Sequence, residues 1–120
     1  MNLAQYNAFC KAQPQATHVV QWGGASVWKV GGKVFAIGWF DNSTDHGITF
    51  KCSPMSFEIL QQLKGCRPAP YLASRGMKWI QRTSDAALSD KELKAYLRES
   101  HRLVALGLSK KKQRELGLES

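Results

Sequence analysis

The stretch VWKVGGKVFAIGW, residues 27–39, decides the fold of this chain. Two runs rich in β-branched and aromatic residues flank Gly31 and Gly32, a pair that accepts the positive φ angles of a two-residue hairpin turn. In the register that this turn sets, Trp28 lies opposite Phe35, and side chains alternate between two faces. The predicted core face carries Trp28, Val30, Phe35 and Ile37, and the outer face carries Lys29, Val34 and Ala36. The stretch therefore predicts an antiparallel hairpin with one buried face.

The segments on either side of the hairpin predict another strand and a layer of helices. ITFKC at 48–52 alternates apolar and polar residues, which places Lys51 on the same outer face as Lys29. Helices are predicted after Ser53 and after Ser89, because serine caps the free N–H groups of a first helical turn. A half-apolar antiparallel sheet buries its apolar face under helices. The predicted fold class is therefore α+β, with helices on one face of an antiparallel sheet.

Length and composition predict one soluble domain, residues 1–120, in which 108–120 form a basic helical tail. An apolar content of 43% argues for a folded globule and against disorder. The three cysteines have no CxxC spacing, as in the reduced thiols of cytosolic proteins. No signal peptide is indicated, and no apolar run approaches the ~20 residues that span a membrane. We therefore expect a cytoplasmic protein, monomeric and without a membrane partner.

Basic residues outnumber acidic residues most clearly in the segment 64–82, which we call the basic arm. The chain has a net charge of +8, and the arm contributes cations without any acid. These cations are Lys64, Arg67, Arg75, Lys78 and Arg82. Tyr71 and Trp79 lie among them, so the arm combines charges for phosphate with flat faces for bases. The alternative is a structural crossover whose rings fill the core, and we favour it for Trp79 because tryptophans in strands are usually buried.

Catalytic and metal-binding patterns are missing from the sequence. Asp41, Asp45 and His46 lie close together, but Asp and its polar neighbours are also ordinary turn residues, and we favour the turn. His18 and His101 are isolated along the chain. The glycine pairs form neither a phosphate-binding loop nor a dinucleotide fingerprint. We therefore expect no enzyme activity, no metal and no cofactor.

Four stretches of the chain resemble the MmcQ/YjbR-like family. They are VWKVGGKVFA at 27–36, ITFKCSP at 48–54, RPAPYLASRGMKWIQ at 67–81 and LSDKELKAYLRESHRLV at 88–104. The resemblance implies a two-layer α+β domain, a curved antiparallel sheet packed against helices, similar to the frataxin-like and secretion-chaperone-like folds. It also implies DNA binding, since members are described as predicted double-wing DNA-binding proteins. The wings here would be the turn at Gly31 and Gly32 and the loop 41–47, and residues at family-typical positions are Lys29, Lys51, Pro68, Tyr71 and Trp79.

Together these observations predict a non-catalytic module that binds nucleic acid, DNA in the first place, weakly and without reading sequence. The binding surface would combine the basic sheet face with the basic arm. The predicted phosphate contacts are Lys29, Lys33, Lys51, Arg67, Arg75 and Lys78, and the predicted stacking ring is Tyr71. Two other classes stay open. One is a protein-interaction or chaperone-like module that holds an acidic partner segment on the open sheet face. The other is an enzyme or small-molecule binder with a deep pocket of converging polar groups.

Overall fold

The computed structural model describes residues 1–40, 46–70, 72 and 76–118 of the chain. This part of the chain contains six strands and four helices. The helices are α1 (Leu3–Lys11), α2 (Pro54–Leu60), α3 (Asp90–Leu106) and α4 (Lys110–Glu115). The strands are β1 (Ala16–Gln21), β2 (Ala25–Val30), β3 (Lys33–Trp39), β4 (Gly47–Lys51), β5 (Cys66–Pro68) and β6 (Trp79–Arg82). The predicted helix starts at Ser53 and Ser89 are confirmed, because each hydroxyl oxygen accepts a backbone N–H of its first turn. None of these helices has the length and apolar character needed to cross a membrane.

All six strands form one antiparallel sheet in the order β1-β2-β3-β4-β6-β5. Helix α3 lies across β3 and β4, α1 packs beside β1, β2 and β3, and α2 packs against β5 and β6. Side chains of these three helices share one hydrophobic core with one face of the sheet. The predicted α+β fold is therefore confirmed.

The face of the sheet turned away from this core carries the candidate site, and we call it the open face. The strand registers and their alternation assign its residues. They include Lys29, Val34, Ile37, Trp39, Thr49, Lys51, Arg67, Trp79 and Gln81. A second, smaller apolar cluster of Ala25, Val27 and Ile37 lies on this side of the sheet.

The hairpin at 27–39 forms around its predicted turn. Gly31 and Gly32 adopt φ angles of +58° and +82°, and two consecutive positive φ angles define the turn that matches the twist of two antiparallel strands. Val30 pairs with Lys33, as this turn requires. The start of the predicted register is therefore confirmed.

Beyond Val34, the second residue after the turn, the predicted register was wrong. A bulge inserts Phe35 as an extra residue of β3, so Trp28 lies opposite Ala36 and not opposite Phe35. One extra residue shifts the alternation of all later side chains in the strand. Ala36 consequently faces the helices and Ile37 lies on the open face, the reverse of the predicted assignment.

A serine of α3 fills the space that opens between β3 and β4 next to the bulge. The Ser100 hydroxyl donates to the Phe35 carbonyl oxygen at 2.6 Å and accepts from the Lys51 backbone nitrogen at 2.8 Å. Its side chain is fully buried, and the neighbouring backbone pair is Ala36 with Phe50. The hydroxyl thus takes the place of one ladder bond and allows the two strands to separate toward the hairpin turn.

A buried arginine connects the last strand to α3. Arg82 is only 6% exposed, and its Nη2 donates to Asp90 Oδ1 at 2.7 Å. The amino group of Met1 lies 3.1 Å from the other carboxylate oxygen. The hydrogen bond from Arg82 is the main reason that the pKa of Asp90 is lowered. The carboxylate therefore holds the start of α3 against the helix side of β6.

The two edges of the sheet differ. β5 is three residues long and ends in Pro68, which has no N–H to offer another strand. β1 is six residues long and, within the described chain, pairs only with β2. Val20 of this strand is 62% exposed. β1 is therefore the edge that can accept a further strand.

Candidate functional site

Three of the predicted phosphate-binding residues lie on the open face, and a fourth lies at its end. Lys29 projects from β2, Lys51 ends β4 opposite Trp79, and Arg67 lies in β5. Lys33 begins β3 at the hairpin turn and lines a cavity at the same end of the sheet as Lys51. The fold therefore brings together residues that are up to 38 positions apart, from 29 to 67, on one surface.

Three tryptophans line a groove along this face. A cavity of about 410 Å³ lies between Trp22, Trp39 and Leu72, and a second cavity of about 390 Å³ lies between Trp22, Lys51 and Trp79. Trp22 and Leu72 line both cavities, so the two adjoin. Trp22 is 56% exposed. The groove thus combines a solvent-accessible indole face with largely apolar walls.

The described acids lie away from the open face. They are Glu58, Asp85, Asp90, Glu92, Glu99 and Glu115, all in helices or in the connection between β6 and α3. Helices α3 and α4 carry cations too, but there the cations are mixed with acids, as in the Arg102–Glu99 pair. In the described part of the chain, the open face presents cations and indole rings with no carboxylate on the same face.

Arg67 is oriented by the strand beside it. Its Nε donates to Gln81 Oε1 at 2.8 Å, and Gln81 is almost completely buried. Thr49, opposite Gln81 in β4, is also buried. A buried amide therefore holds the guanidinium at the β5 end of the open face.

Lys78, the other predicted contact that the structure describes, is not assembled with these four residues. The Lys78 ammonium lies 4.9 Å from the centroid of the Phe57 ring in α2, on the helix side of the sheet. Tyr71 and Arg75 lie outside the described residues, as do positions 41–45 of the predicted second wing. The stacking role of Tyr71 and the phosphate contact of Arg75 stay predictions.

Trp79 is buried, as favoured from the sequence, but not beneath the helices. It is 5% exposed and lies on the open face, where it lines the second cavity. The preference for a ring in the helix-side core was therefore wrong. Its indole Nε1 is buried and forms no hydrogen bond with the described residues.

Two of the groove tryptophans, Trp22 and Trp39, were missed by the sequence reasoning. Trp22 joins β1 to β2 with a φ angle of +51°, directly before Gly23 and Gly24. Glycines have no side chains that could cover a neighbouring ring, so an aromatic residue beside a glycine pair indicates an exposed ring. This was the sequence signal that could have identified Trp22. Trp39 ends β3, and only the bulge assigns it to the open face.

A polar cluster that the sequence did not indicate connects α1 to the sheet. Asn7 Oδ1 accepts from Ser26 Oγ at 2.6 Å and from Trp28 Nε1 at 2.9 Å. His18 is isolated along the chain but not in the fold, where its Nε2 lies 2.8 Å from Ser26 Oγ. The cluster is no catalytic triad, because the Ser26 hydroxyl is buried and donates its hydrogen to Asn7.

The thiols of the described chain are not activated, and they build no metal site. Burial raises the pKa of Cys10 to about 12 and that of Cys52 to about 11. Burial also raises the pKa of Cys66, with Arg82 opposing the shift. Cys10 and Cys52 are buried, and Cys66 is half-buried. Among the described residues, no three His, Cys, Asp or Glu side chains cluster as metal ligands would.

Comparisons with known proteins agree with the resemblance seen in the sequence. The solved structure of Deinococcus radiodurans protein DR2400, described with the domain DUF419, matches with a TM-score of 0.82 and 24% identity. The match covers 98% of this chain and 89% of that chain. No curated protein is significantly similar to the chain. The family model described as YjbR matches residues 11–103, which include all six strands, so the chain belongs to the YjbR family.

Proposed function

We propose that the protein is a non-catalytic module that binds single-stranded nucleic acid, DNA in the first place, across its open face. The observation that carries the proposal is the grouping of Lys29, Lys51 and Arg67 around a tryptophan-lined groove. Lysine and arginine bind phosphate, and indole faces stack on bases of any identity. Such contacts hold a strand without reading its sequence, so binding is weak and largely nonspecific.

Trp22 is the stacking ring in this proposal. It is the exposed member of the three groove tryptophans and lines both cavities. An unpaired base can turn its flat face toward the indole, whereas a base in a duplex is already stacked. Single strands should therefore bind more tightly than duplexes of the same length. The three free cysteines fit a cytoplasmic site of action.

The dependence on salt tests the phosphate contacts. If the four cations Lys29, Lys33, Lys51 and Arg67 each contact one phosphate, log affinity should fall with log salt at a slope of about −3. Lys51→Gln should flatten that slope by about 0.7, because one released counterion is lost. Fluorescence anisotropy of a labelled oligothymidylate across a salt series measures both quantities.

Two further variants separate the open face from the rest of the charged surface. Lys111→Gln removes a cation from α4, which has no residue in the walls of the groove, and should leave the slope unchanged. Trp22→Ala should weaken binding by about 1–3 kcal/mol at every salt concentration, because an uncharged ring releases no counterion. Absence of binding at low salt, or equal effects of Lys51→Gln and Lys111→Gln, would refute the assignment.

A second candidate is a protein-interaction module, and the exposed edge of β1 favours it. An extended acidic segment could add to β1 through backbone hydrogen bonds while its side chains reach Trp22 and the lysines. Hydrogen exchange distinguishes the two functions. A peptide that adds to β1 should slow exchange of the outward backbone amides of 16–21, whereas an oligonucleotide on the open face should leave them unchanged.

A further inference from the structure

A further cavity, of about 640 Å³, lies between helices α1, α3 and α4. Residues 12–14 after α1, the second half of α3 and Gln113 of α4 contribute to its lining. Its volume is in the range of pockets that hold small organic molecules. The described lining shares no residue with the groove on the open face. The cavity is therefore a separate site, and the basic tail that contains α4 takes part in forming it.

Two arginines of α3 line this cavity at a spacing that lets them act together. Arg98 and Arg102 are both exposed and lie four positions apart. Side chains at this spacing lie one above the other on a helix, with Cβ atoms about 5–6 Å apart. Lys94, four positions before Arg98, adds a third cation to the same line. Like charges at this spacing repel and destabilise a helix, so an anion bound between the arginines would relieve an unfavourable arrangement.

Both arginines keep hydrogen-bond donors for such an anion. Arg102 binds Glu99 through Nε and Nη2, which leaves its Nη1 for a further acceptor. The Arg98 guanidinium lies 5.5 Å from the centroid of the Phe9 ring and forms no ion pair with the residues that the structure describes. The described lining contains no Asp or Glu. Because the Arg102–Glu99 pair is exposed and therefore weak, a stronger anion can compete for the guanidinium.

The inner part of the cavity is buried and largely apolar. His101 Nε2 lies 2.7 Å from the Pro14 carbonyl oxygen, and it is the donor because a carbonyl only accepts. This hydrogen bond holds the chain after α1 against α3. Ala105, four positions after His101, is buried as well, and Leu106 and Leu118 also line the cavity. The cavity therefore places an apolar surface beside two cations.

We propose that this cavity binds one small phosphate monoester with an apolar organic group. The phosphate accepts hydrogen bonds from the guanidinium groups of Arg98 and Arg102, and the organic group lies against the apolar surface. A phosphate monoester carries a charge between about −1.5 and −2 at pH 7, which suits two cations better than the single charge of a carboxylate. The inference does not depend on the function proposed above, since the two sites share no described lining residue.

Isothermal titration calorimetry of the intact protein tests the proposal, with phenyl phosphate as the probe. Phenyl phosphate should bind saturably at one site. Inorganic phosphate lacks the ring and benzoate carries only one charge, so each should bind at least about tenfold more weakly. Absence of binding by phenyl phosphate, or equal binding of all three anions, would overturn the proposal.

Variants with opposite changes of charge give a matched comparison. Arg102→Gln should weaken binding of phenyl phosphate about tenfold, whereas Lys91→Gln, in the same helix but outside the cavity lining, should leave it unchanged. Glu99→Gln should strengthen binding about two- to fivefold, because it releases the donors of Arg102. Glu58→Gln makes the same change of charge in α2, outside the lining, and should have no effect.

A neutral substitution tests the position of the ligand. Ala12 is exposed and lines the cavity, so Ala12→Leu should obstruct it and weaken binding about tenfold without changing the charge. Ala4→Leu, at an exposed position of α1 outside the lining, is the control and should leave binding unchanged. Thermal melts show whether each variant is folded. Equal effects of Arg102→Gln and Lys91→Gln, weaker binding in Glu99→Gln, or unchanged binding in Ala12→Leu would each refute the assignment.

Discussion

The Ser100 hydroxyl should be essential for the stability of this fold, although a serine side chain buries little apolar surface. Ser100→Ala would remove the acceptor of the Lys51 N–H and the donor to the Phe35 carbonyl, both at a fully buried position. Each unpaired buried backbone group costs about 1–3 kcal/mol. Alanine in a helix interior recovers only about 0.5 kcal/mol through its higher propensity. The expected net loss is about 2–5 kcal/mol, a large part of the stability of a small domain.

Urea unfolding monitored by tryptophan fluorescence measures this loss. The midpoint should fall while the slope with denaturant stays constant, because the variant changes stability and not the surface exposed on unfolding. Ser56→Ala is the matched control: it makes the same substitution in α2, where the described hydrogen bond at Ser56 uses only the backbone N–H. That control should stay within about 0.5 kcal/mol of the parent protein. An equally small effect of Ser100→Ala would show that the strands close without the hydroxyl, and the reasoning would be refuted.

Three further predictions concern other parts of the molecule. Asp90→Asn should destabilise the protein by about 1–3 kcal/mol, since it weakens a charged hydrogen bond to the buried Arg82. The folded-state pKa of Asp90 is lowered, so the stabilisation from its carboxylate is complete above the ordinary pKa near 4 and is lost as the pH falls through the lowered pKa. The free energy of unfolding, measured from pH 6 to pH 2, should therefore fall less steeply with decreasing pH in Asp90→Asn than in the parent protein. Cys66 should react with a thiol reagent before the two buried cysteines, and mass mapping that found either of those modified first would contradict the burial order. Gly38→Ala should cost about 1–3 kcal/mol in thermal or urea unfolding, because the added Cβ would lie 2.7 Å from the Tyr6 ring, and an unchanged midpoint would show that the ring can move.

Much of the fold could be predicted because its signals are local. The glycine pair of the hairpin and the serine caps of α2 and α3 act within four residues of chain, and all of them appear as expected. The bulge at Phe35 could not be predicted in the same way. Its neighbours Val34, Ala36 and Ile37 are apolar, so either alternation gives a plausible buried face. Only the fixed positions of Ser100 and the helix layer decide between them.

The candidate site was predicted in part for the same reason. Lys29 and Lys51 share a face, as simple alternation within two regular strands indicates. β6 gives no such indication, because all four of its residues are buried. Without an alternation of buried and exposed positions, the face on which Trp79 lies cannot be assigned. Trp22 lies in a turn, where no periodicity applies. It lines the groove together with Leu72, which lies 50 positions away in the sequence.

The unequal edges of the sheet limit how copies of this protein could associate. A head-to-tail chain of sheets needs a donor edge and an acceptor edge on every molecule, and β5 is too short and carries Pro68. Among the strands that the structure describes, addition could therefore occur only between two copies of β1, related by a twofold axis. Such pairing is closed after two molecules, because neither copy keeps a second competent edge. The same geometry that leaves β1 exposed thus protects the protein from growth into fibres. Where sheets pair in a concentrated solution, association should stop at the dimer.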